Sequence, residues 1–179
     1  MNDLTLVIPA KRESESLPTV LKELKKFKIK ILVVLEKQDL ETINSIKKFN
    51  YKILYQKNKG YGDALILGIK NVKTKYFCIF NADGSFNPYE LKKMYSKISN
   101  NKSNLVFGSR YIKNSGSEDD TIVTFFGNKI FSLLGNFLFS LPISDILYTY
   151  VLGETTRVKK LKLQRKNFTF CVELPIKAL

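Results

Sequence analysis

Five short apolar segments, separated by stretches with helical spacing, constrain the fold of this chain more than any other feature of its sequence. They are rich in valine, leucine, isoleucine and aromatic residues and occupy 4–9, 30–35, 51–56, 75–80 and 104–109. Nearly continuous apolar runs of this length are typical of strands buried on both faces, as in parallel sheets. The intervening stretches repeat apolar residues at helical spacing and occupy 15–27, 39–49, 62–72 and 88–99. This alternation predicts a three-layer α/β fold with a mostly parallel central sheet and right-handed crossovers.

The chain changes character after about residue 112. Residues 115–120 are polar and predict an exposed loop. Residues 121–143 are apolar with Lys129 as their only charge, and they approach the ~20 residues of a membrane span. Their asparagine, glycine, lysine and proline residues disfavour a span. The wide apolar stripe fits equally well a buried core helix and a helix that lies on a membrane surface.

The charge balance limits the chemistry that the chain can perform. Thirty lysine and arginine residues against 16 acidic residues give a formal net charge of +14. Such a field attracts nucleic acid, anionic lipid, nucleotides and phosphorylated substrates. The chain has no histidine, which removes the usual proton shuttle at neutral pH and the commonest zinc ligand. Catalysis would therefore depend on carboxylates, hydroxyls, cations or a hard metal ion.

Length and cysteine usage indicate one domain in a reducing compartment. A chain of 179 residues, 44% of them hydrophobic, has room for one domain with a substantial core. Cys78 and Cys171 each lie within an apolar run, which favours buried thiols over a single disulfide. The amino terminus lacks a basic segment followed by a long apolar one, as a secretion signal would have. We expect a cytoplasmic location.

Polar residues follow each of the five predicted strands. Ligands bind beyond the carboxyl ends of the strands in an open parallel sheet, so these residues are expected to share one rim. The most informative segment is 80–88, where an apolar strand delivers Asp83 into a glycine-containing turn. A carboxylate there can hold Mg²⁺ or Mn²⁺, with water and diphosphate oxygens as the other ligands. The alternative is a turn in which Asn81 or Asp83 bonds its own backbone.

A resemblance to a known family rests on the order of six motifs, which are VIPAKRESESL, KILVVLEK, NKGYGDALILG, FNADGSFNP, VFGSRY and GNFLFSLPISD. Together they resemble the nucleotide-sugar-dependent glycosyltransferases of family 2, nearest to the dolichol- and polyprenyl-phosphate mannosyl- and glucosyltransferases. The resemblance covers essentially the whole chain. It implies the Rossmann-like nucleotide-diphospho-sugar transferase fold, a divalent metal bound through an Asp-x-Asp motif, and inversion at the anomeric carbon. It also implies one catalytic domain, 1–179, with a nucleotide-sugar-binding half at 1–112 and an acceptor-side half at 113–179.

The resemblance assigns the residues of the donor side. The nucleotide-sugar-binding residues that it implies are Pro9, Glu13, Glu36, Lys59, Gly60, Gly62, Asn81 and Asp83. The implied metal ligands are Asp83, Asn81 and Ser85. Asn81 stands where the Asp-x-Asp motif has its first aspartate. The exchange of a carboxylate for an amide keeps an oxygen donor but removes a unit of negative charge. We therefore expect weaker metal binding than a pair of carboxylates would give.

The resemblance also assigns acceptor-binding and catalytic residues. Arg110 matches an arginine that binds phosphate, although from the sequence alone a surface ion pair explains it equally well. Ser132 and Asn136 match polar positions of a helix above the acceptor site. The implied catalytic residues are Asp83, Arg110, Asp145 and Glu173. A phosphate acceptor is already a nucleophile, whereas a hydroxyl acceptor would need Asp145 or Glu173 as a general base.

These observations predict a metal-dependent, inverting glycosyltransferase with polyprenyl phosphate as its expected acceptor. The enzyme would lie peripherally on the inner face of the membrane, held to anionic lipid by the basic residues of 157–166 and the apolar helix. A membrane subunit or a second copy of the chain is a further candidate partner. Asn81 leaves open a degenerate partner subunit of the same fold. A basic nucleic-acid-binding protein is disfavoured, because the aromatic residues lie in apolar runs and are not interleaved with basic ones.

Overall fold

The structure is a computed structural model that describes residues 1–100, 103–111 and 122–178. The loop predicted at 115–120 lies outside the described residues. The strands are β1 (Leu4–Pro9), β2 (Lys30–Glu36), β3 (Lys52–Gln56), β4 (Tyr76–Ile79), β5 (Leu105–Phe107) and β6 (Val151–Glu154). The helices are α1 (Ser16–Leu24), α2 (Leu40–Ile46), α3 (Tyr61–Asn71), α4 (Glu90–Asn100), α5 (Ile122–Phe139), α6 (Thr155–Lys160) and α7 (Phe170–Ala178).

All the strands described form one sheet in the order β3-β2-β1-β4-β6-β5. β1 pairs in parallel with β2 and β4, and β2 pairs in parallel with β3. β6 is antiparallel to both β4 and β5, so β1 to β5 all run in the same direction. The expected α/β fold with a mostly parallel sheet is therefore confirmed, and the carboxyl ends of β1 to β5 share one rim.

The five strands predicted from the sequence do not include β6, which precedes the basic residues of 157–166. This strand has only four residues and contains Gly153, which lowers strand propensity. Gly153 is required by packing, because a Cβ atom at this position would lie 2.5 Å from Leu105 and 2.8 Å from Phe77. The lack of a side chain lets β6 fit closely against its neighbours, so the residue that weakens the sequence signal is the one that fits the strand into the sheet.

Alternating side chains of the strands build a core on each face of the sheet. Leu4, Leu6 and Ile8 of β1 pack in the same core as α1, α2 and α4. Val7 points to the opposite face, where the core includes residues of α3, α6 and α7. The predicted burial of both thiols is correct, because Cys78 and Cys171 are buried and free.

The outward face of α5 is apolar, and its inward face carries the polar residues. Ser132 is 3% exposed, whereas Leu133, Phe137 and Leu138 are 68%, 82% and 67% exposed. The interpretation of this segment as a buried core helix is therefore wrong. Over the part of the chain that the structure describes, no helix is long and apolar enough to cross a bilayer.

Substitution of Gly68 tests the contact between α3 and the sheet. A Cβ atom on Gly68 would lie 2.3 Å from Val7 Cγ1 and 3.2 Å from Val34 Cγ2, both in the fully buried core. We expect Gly68→Ala to lower the free energy of unfolding by about 1–3 kcal/mol through overpacking, as measured by chemical denaturation. Gly127→Ala is the matched control, because no described atom lies within 4 Å of that added methyl group. Equal effects of the two substitutions would contradict this view of the α3 contact.

Candidate active site

A cleft of about 1320 Å³ runs along the rim where β1 to β5 end. The predicted site residues that line it are Pro9, Glu13, Glu36, Gly60, Asn81, Asp83, Ser85 and Arg110. These residues are up to about 100 positions apart in the chain and meet because the strands that carry them run in the same direction. The volume exceeds the range typical of single small-ligand sites, which leaves room for two substrates.

The turn after β4 presents Asp83 to the cleft. Phe80, Ala82 and Phe86 are buried, whereas Asp83 between them is exposed. Gly84 has φ +86, which turns the chain back, and the Ser85 N–H donates a 2.9 Å hydrogen bond to Asp83 Oδ1. The turn interpretation of this segment is thus correct, and it is compatible with ligand binding. No described group donates to the second carboxylate oxygen of Asp83, which is therefore available to a ligand.

An aromatic cluster holds this turn in place. Phe86 stacks on Tyr150 with ring centroids 4.5 Å apart and also contacts Tyr148 at 4.9 Å. The Tyr150 hydroxyl donates a 2.9 Å hydrogen bond to the carbonyl of Asn87. Aromatic pairs contribute beyond their burial, so the turn is packed on its inner side and not merely closed by its own backbone.

Asn81 belongs to a hydrogen-bond network across the cleft floor. Its Nδ2 donates to Ser85 Oγ at 3.1 Å, and its Oδ1 accepts from the Tyr61 hydroxyl at 3.4 Å. The Tyr61 hydroxyl also lies 2.7 Å from Thr149 Oγ1. Burial raises the pKa of Tyr61, so its phenol stays protonated at neutral pH. The network fixes the orientation of the Asn81 amide.

The residues present fit a metal held partly by its substrate. Within the described residues no group of three or more histidine, cysteine, aspartate or glutamate side chains is close enough to hold a metal ion. The cleft instead offers the Asp83 carboxylate, with Asn81 and Ser85 as neighbouring oxygen donors. Mg²⁺ and Mn²⁺ sites in nucleotide-dependent enzymes commonly use one or two carboxylates and complete the shell with phosphate and water oxygens.

The side of the cleft formed by β1 and β2 is acidic and well anchored. Lys11 Nζ lies 3.0 Å from Glu36 Oε1, and the Ser16 hydroxyl donates to the carboxylate of Glu13. Backbone N–H groups of Arg12 and Glu13 donate to the side chains of Asp39 and Thr42, at the start of α2. These bonds tie the loop after β1 to the next helix, so the acidic side chains occupy defined positions.

Arg110 and Asp145 form an ion pair at the opposite end of the cleft. The Nε and Nη2 atoms of Arg110 donate to the two carboxylate oxygens of Asp145 at 2.8 and 3.0 Å. Asp145 is fully buried, whereas the Arg110 side chain is 18% exposed and lines the cleft. The guanidinium also packs over the rings of Tyr111 and Tyr148, 5.2 and 5.1 Å from their centroids. The Asp145 carboxylate is thus engaged by Arg110 and is not among the groups that line the cleft, an arrangement that suits a residue that positions Arg110 better than the predicted general base.

Glu173 organises the segment before α7 and does not line the cleft. Its carboxylate accepts hydrogen bonds from the backbone N–H groups of Gln164 and Arg165 and from Lys177 Nζ. Burial acts to raise the pKa of Glu173, but these hydrogen bonds outweigh it and the pKa is lowered. The Glu173 carboxylate is thus engaged with backbone N–H groups, an arrangement that suits a structural role better than the predicted general base.

The segment that Glu173 holds packs on the two predicted glycines. A Cβ atom on Gly60 would lie 2.2 Å from the carbonyl oxygen of Lys166, and one on Gly62 would lie 2.1 Å from that of Arg165. Gly60 also has φ +122, a conformation that L side chains rarely adopt. Both glycines permit close approach of this segment to the start of α3, and of the two only Gly60 lines the cleft.

The remaining predicted residues are not among those that line the cleft. Lys59 is exposed, and Ser132 and Asn136 of α5 bond the backbone of 143–146. Ser132 Oγ accepts from the Ile146 N–H at 3.1 Å, and Asn136 Nδ2 donates to the carbonyl of Ile143 at 2.8 Å. These bonds attach α5 to the segment that carries Asp145, and the predicted role of the two residues in acceptor binding stays a prediction.

The cleft residues that were not predicted from the sequence include Tyr61, Tyr148, Thr149 and Phe168. Tyr148 and Thr149 precede β6, the strand that the sequence analysis missed. Burial raises the pKa of Tyr148 to about 12, so its phenol stays protonated at neutral pH and can donate a hydrogen bond. The alternation of aromatic and β-branched residues at 148–152 is the signal that could have located them.

Solved structures with a similar fold are nucleotide-sugar transferases. Glucosyl-3-phosphoglycerate synthase from Mycobacterium tuberculosis, in complex with Mn²⁺, UDP-glucose and phosphoglyceric acid, superposes with a TM-score of 0.74 at 11% identity, covering 96% of this chain and 62% of that one. Mannosyl-3-phosphoglycerate synthase from Rubrobacter xylanophilus gives 0.69 at 14% identity, covering 87% of this chain and 54% of that one. At these identities the likeness establishes the fold, which is that of the GT-A nucleotide-sugar transferases.

The family follows from sequence. The profile of Glycosyl transferase family 2 matches residues 5–161, and the chain belongs to that family. Two uncharacterized proteins of Methanocaldococcus jannaschii are each 28% identical, over 132 and 118 residues, which cover 71% and 60% of this chain. The chain spans about half the length of these curated relatives, 54% and 52%. The polyprenyl-phosphate subtype that the motifs suggested is not part of what the family match establishes.

The hydrogen bonds of Glu173 predict a pH-dependent contribution to stability. Because its pKa is lowered on folding, the carboxylate contributes stability that is fully present above its ordinary value of 4.5 and is lost as the pH falls through the folded pKa. We expect Glu173→Gln to unfold at a lower denaturant concentration than the wild type at pH 7, with the difference shrinking towards pH 3. Glu15→Gln, an exposed residue without a capping bond, should show no such trend. A difference independent of pH would contradict the assigned role.

Proposed function

We propose that the chain transfers a sugar from a nucleotide-sugar donor to an anionic acceptor, with polyprenyl phosphate as the acceptor and a divalent cation bound at Asp83. One observation carries the proposal: a single cleft has the free carboxylate oxygen of Asp83 near its centre and the guanidinium of Arg110 at one end. The first group suits a metal diphosphate, and the second suits a phosphate monoester.

The donor would bind with its diphosphate at Asp83. A bound Mg²⁺ or Mn²⁺ would neutralise charge on the departing nucleoside diphosphate, which is electrostatic stabilisation of the leaving group. Asp83 would hold the cation and the diphosphate in register, while Ser85 and the fixed amide of Asn81 bond their oxygens. The buried aromatic cluster beneath the turn keeps these groups from moving as charge develops.

The acceptor would bind at Arg110, where the buried carboxylate of Asp145 holds the guanidinium in one orientation. A phosphate monoester brings its own nucleophilic oxygen, so no general base is needed. This agrees with the absence of histidine from the chain and with the occupation of Asp145 and Glu173 by other partners. Arg110 would orient the phosphate and offset its charge as it approaches the donor.

The position of α5 supports a lipid-linked acceptor. The Asn128 side chain of α5 donates a 3.1 Å hydrogen bond to the hydroxyl of Tyr111, the residue next to Arg110. Ser132 bonds the backbone next to Asp145. The same helix turns an apolar face outward, with Phe137 82% exposed. A phosphate at Arg110 could thus carry a long apolar chain along α5 into a bilayer, on which this face and the net charge of +14 would hold the enzyme peripherally, at the inner leaflet.

A second candidate function is that of a catalytically degenerate partner subunit. Asn81 favours it, because the amide replaces a carboxylate and is engaged with Tyr61 and Ser85. Such a protein would keep the fold but would bind no nucleotide in a metal-dependent way.

Nucleotide binding and sugar transfer separate these two functions. We expect the purified chain to bind nucleoside diphosphates more tightly with Mn²⁺ than with EDTA, measured by calorimetry. It should also transfer label from a radioactive nucleotide sugar to polyprenyl phosphate in vesicles, measured in the organic phase. Asp83→Asn should weaken Mn²⁺-dependent binding at least about tenfold, because it removes the carboxylate that would hold the cation.

Glu154→Gln is the matched control for Asp83→Asn. It also exchanges a carboxylate for an amide. Glu154 lies at the rim opposite the cleft, beside the amino end of β4, and pairs with Arg157 at the surface. The control should bind and transfer as the wild type does. Metal-independent binding, or none, in the wild type would support the degenerate subunit and overturn the enzyme proposal. Binding and transfer to an acceptor other than the lipid phosphate would overturn only the acceptor.

Substitution on the outward face of α5 tests membrane contact. Phe137→Glu should weaken cosedimentation with vesicles of anionic phospholipid at least about tenfold, since it replaces a large apolar side chain by a charge. The control is Leu40→Glu, a change at a residue of α2 that is 63% exposed. Binding that is equally sensitive to both substitutions, or to neither, would contradict membrane docking through α5.

A further inference from the structure

The cleft has an acidic side and a cationic end, which fixes the direction in which a nucleotide would lie. Glu13 and Glu36 line the side formed by β1 and β2, whereas Arg110 lies at the other end. Carboxylates repel phosphate groups but accept hydrogen bonds from the N–H groups of a neutral nucleobase. With a diphosphate at Asp83, the base therefore lies towards Glu36. The end of β2 is two strand spacings from β4, about 10 Å, which leaves space for the ribose.

Lys11 and Glu36 form a paired donor and acceptor on this side. Lys11 Nζ lies 3.0 Å from Glu36 Oε1, with side-chain exposures of 60% and 17%. Glu36 is the last residue of β2, and its backbone position is fixed by pairing with Gln56 of β3. Its carboxylate is thus the more buried member of the pair, carried on a backbone position fixed by the sheet, and Lys11 is the more exposed member. A planar group that meets this pair finds two acceptor oxygens beside one ammonium donor.

The four nucleobases differ in how well they match this arrangement. Guanine presents two adjacent donors, N1–H and the N2 amine, next to the acceptor O6, so a carboxylate and an ammonium satisfy all three groups. Uracil presents one donor between two carbonyl oxygens, so the second carboxylate oxygen would face a carbonyl. Adenine and cytosine each offer one amine beside a ring nitrogen, which uses only one carboxylate oxygen.

We propose that the Lys11 and Glu36 pair selects guanine, so that the donor is a guanosine-diphosphate-linked sugar. This rests on the proposed function, since it presumes that the cleft binds a nucleotide sugar. It is a property of this chain's own side chains: the similar synthase structure from Mycobacterium tuberculosis contains UDP-glucose, and at 11% identity that likeness extends to the fold alone.

Competition among nucleotides tests the proposal on the wild-type chain, with no substitution that could disturb folding. Affinities for GDP, IDP, UDP, ADP and CDP would be measured by calorimetry with Mn²⁺ present. IDP is the sharpest comparison, because it is GDP without the N2 amine. A carboxylate that accepts two hydrogen bonds from one base discriminates strongly against bases that offer only one donor. We therefore expect GDP to bind at least about tenfold more tightly than IDP and UDP.

Glu36→Gln assigns the preference to the carboxylate. The amide keeps one acceptor but turns an NH₂ group towards the guanine donors, so the preference of GDP over IDP should disappear. Glu154→Gln, at the rim opposite the cleft, should keep the preference of GDP over IDP. If the wild type bound UDP or IDP as tightly as GDP, or if Glu36→Gln kept the preference, the inference would be overturned while the proposed function stood. Failure of every nucleotide to bind would instead overturn the proposed function.

Discussion

The reversed direction of β6 is the constraint on which the rest of the site depends. Because β6 runs antiparallel between β4 and β5, its amino end lies at the rim where the other strands finish. The residues just before it are thereby brought into the cleft: Tyr148 and Thr149 line it, and Asp145 lies behind Arg110. If β6 ran parallel to its neighbours, the residues before it would lie at the opposite rim of the sheet, away from the cleft. The hydrogen-bond network through Tyr61, the aromatic support of the Asp83 turn and the orientation of Arg110 all follow from this one reversal.

The sequence was sufficient for the parallel strands and for the residues that directly follow them. Continuous apolar runs located β1 to β5, and the polar residues at their ends, among them Glu36 and Asp83, do line one cleft. It was insufficient where the outcome depends on distant partners. Asp145 and Glu173 were singled out as carboxylates, but whether a carboxylate is free or engaged depends on groups far away in the chain, here Arg110 and the backbone of 164–165. β6 was missed because four residues with a glycine carry too little local signal.

The sequence of α5 predicts an apolar face, but it does not determine whether that face points to the core or to solvent. The stripe of large apolar side chains was evident, and burial against the core was one of its two expected fates. Hydrogen bonds made by the polar residues of α5 determine which face of the helix points inward. Asn128, Ser132 and Asn136 each bond a group near Arg110 or Asp145, namely the Tyr111 hydroxyl, the Ile146 N–H and the Ile143 carbonyl. Buried backbone groups must be paired, so the segment 143–146 requires the polar face of the helix. The apolar face is left outward, where an exposed patch of this kind marks an interaction surface.

A metal site with Asp83 as its carboxylate is compatible with the proposed metal-dependent reaction. Two carboxylates would hold a divalent cation in the absence of substrate, but Asp83 alone supplies one charge, and the Asn81 amide is oriented by Tyr61 and Ser85. In the proposed function the phosphate oxygens of the donor would provide the missing charge, so that cation and donor would stabilise each other's binding. This coupling is reciprocal, since whatever free energy the donor adds to cation binding the cation adds to donor binding. In such a site Asp83, with Asn81 and Ser85 beside it, would hold the cation chiefly when the diphosphate of the donor is bound as well, and the cation would supply charge stabilisation to the departing nucleoside diphosphate.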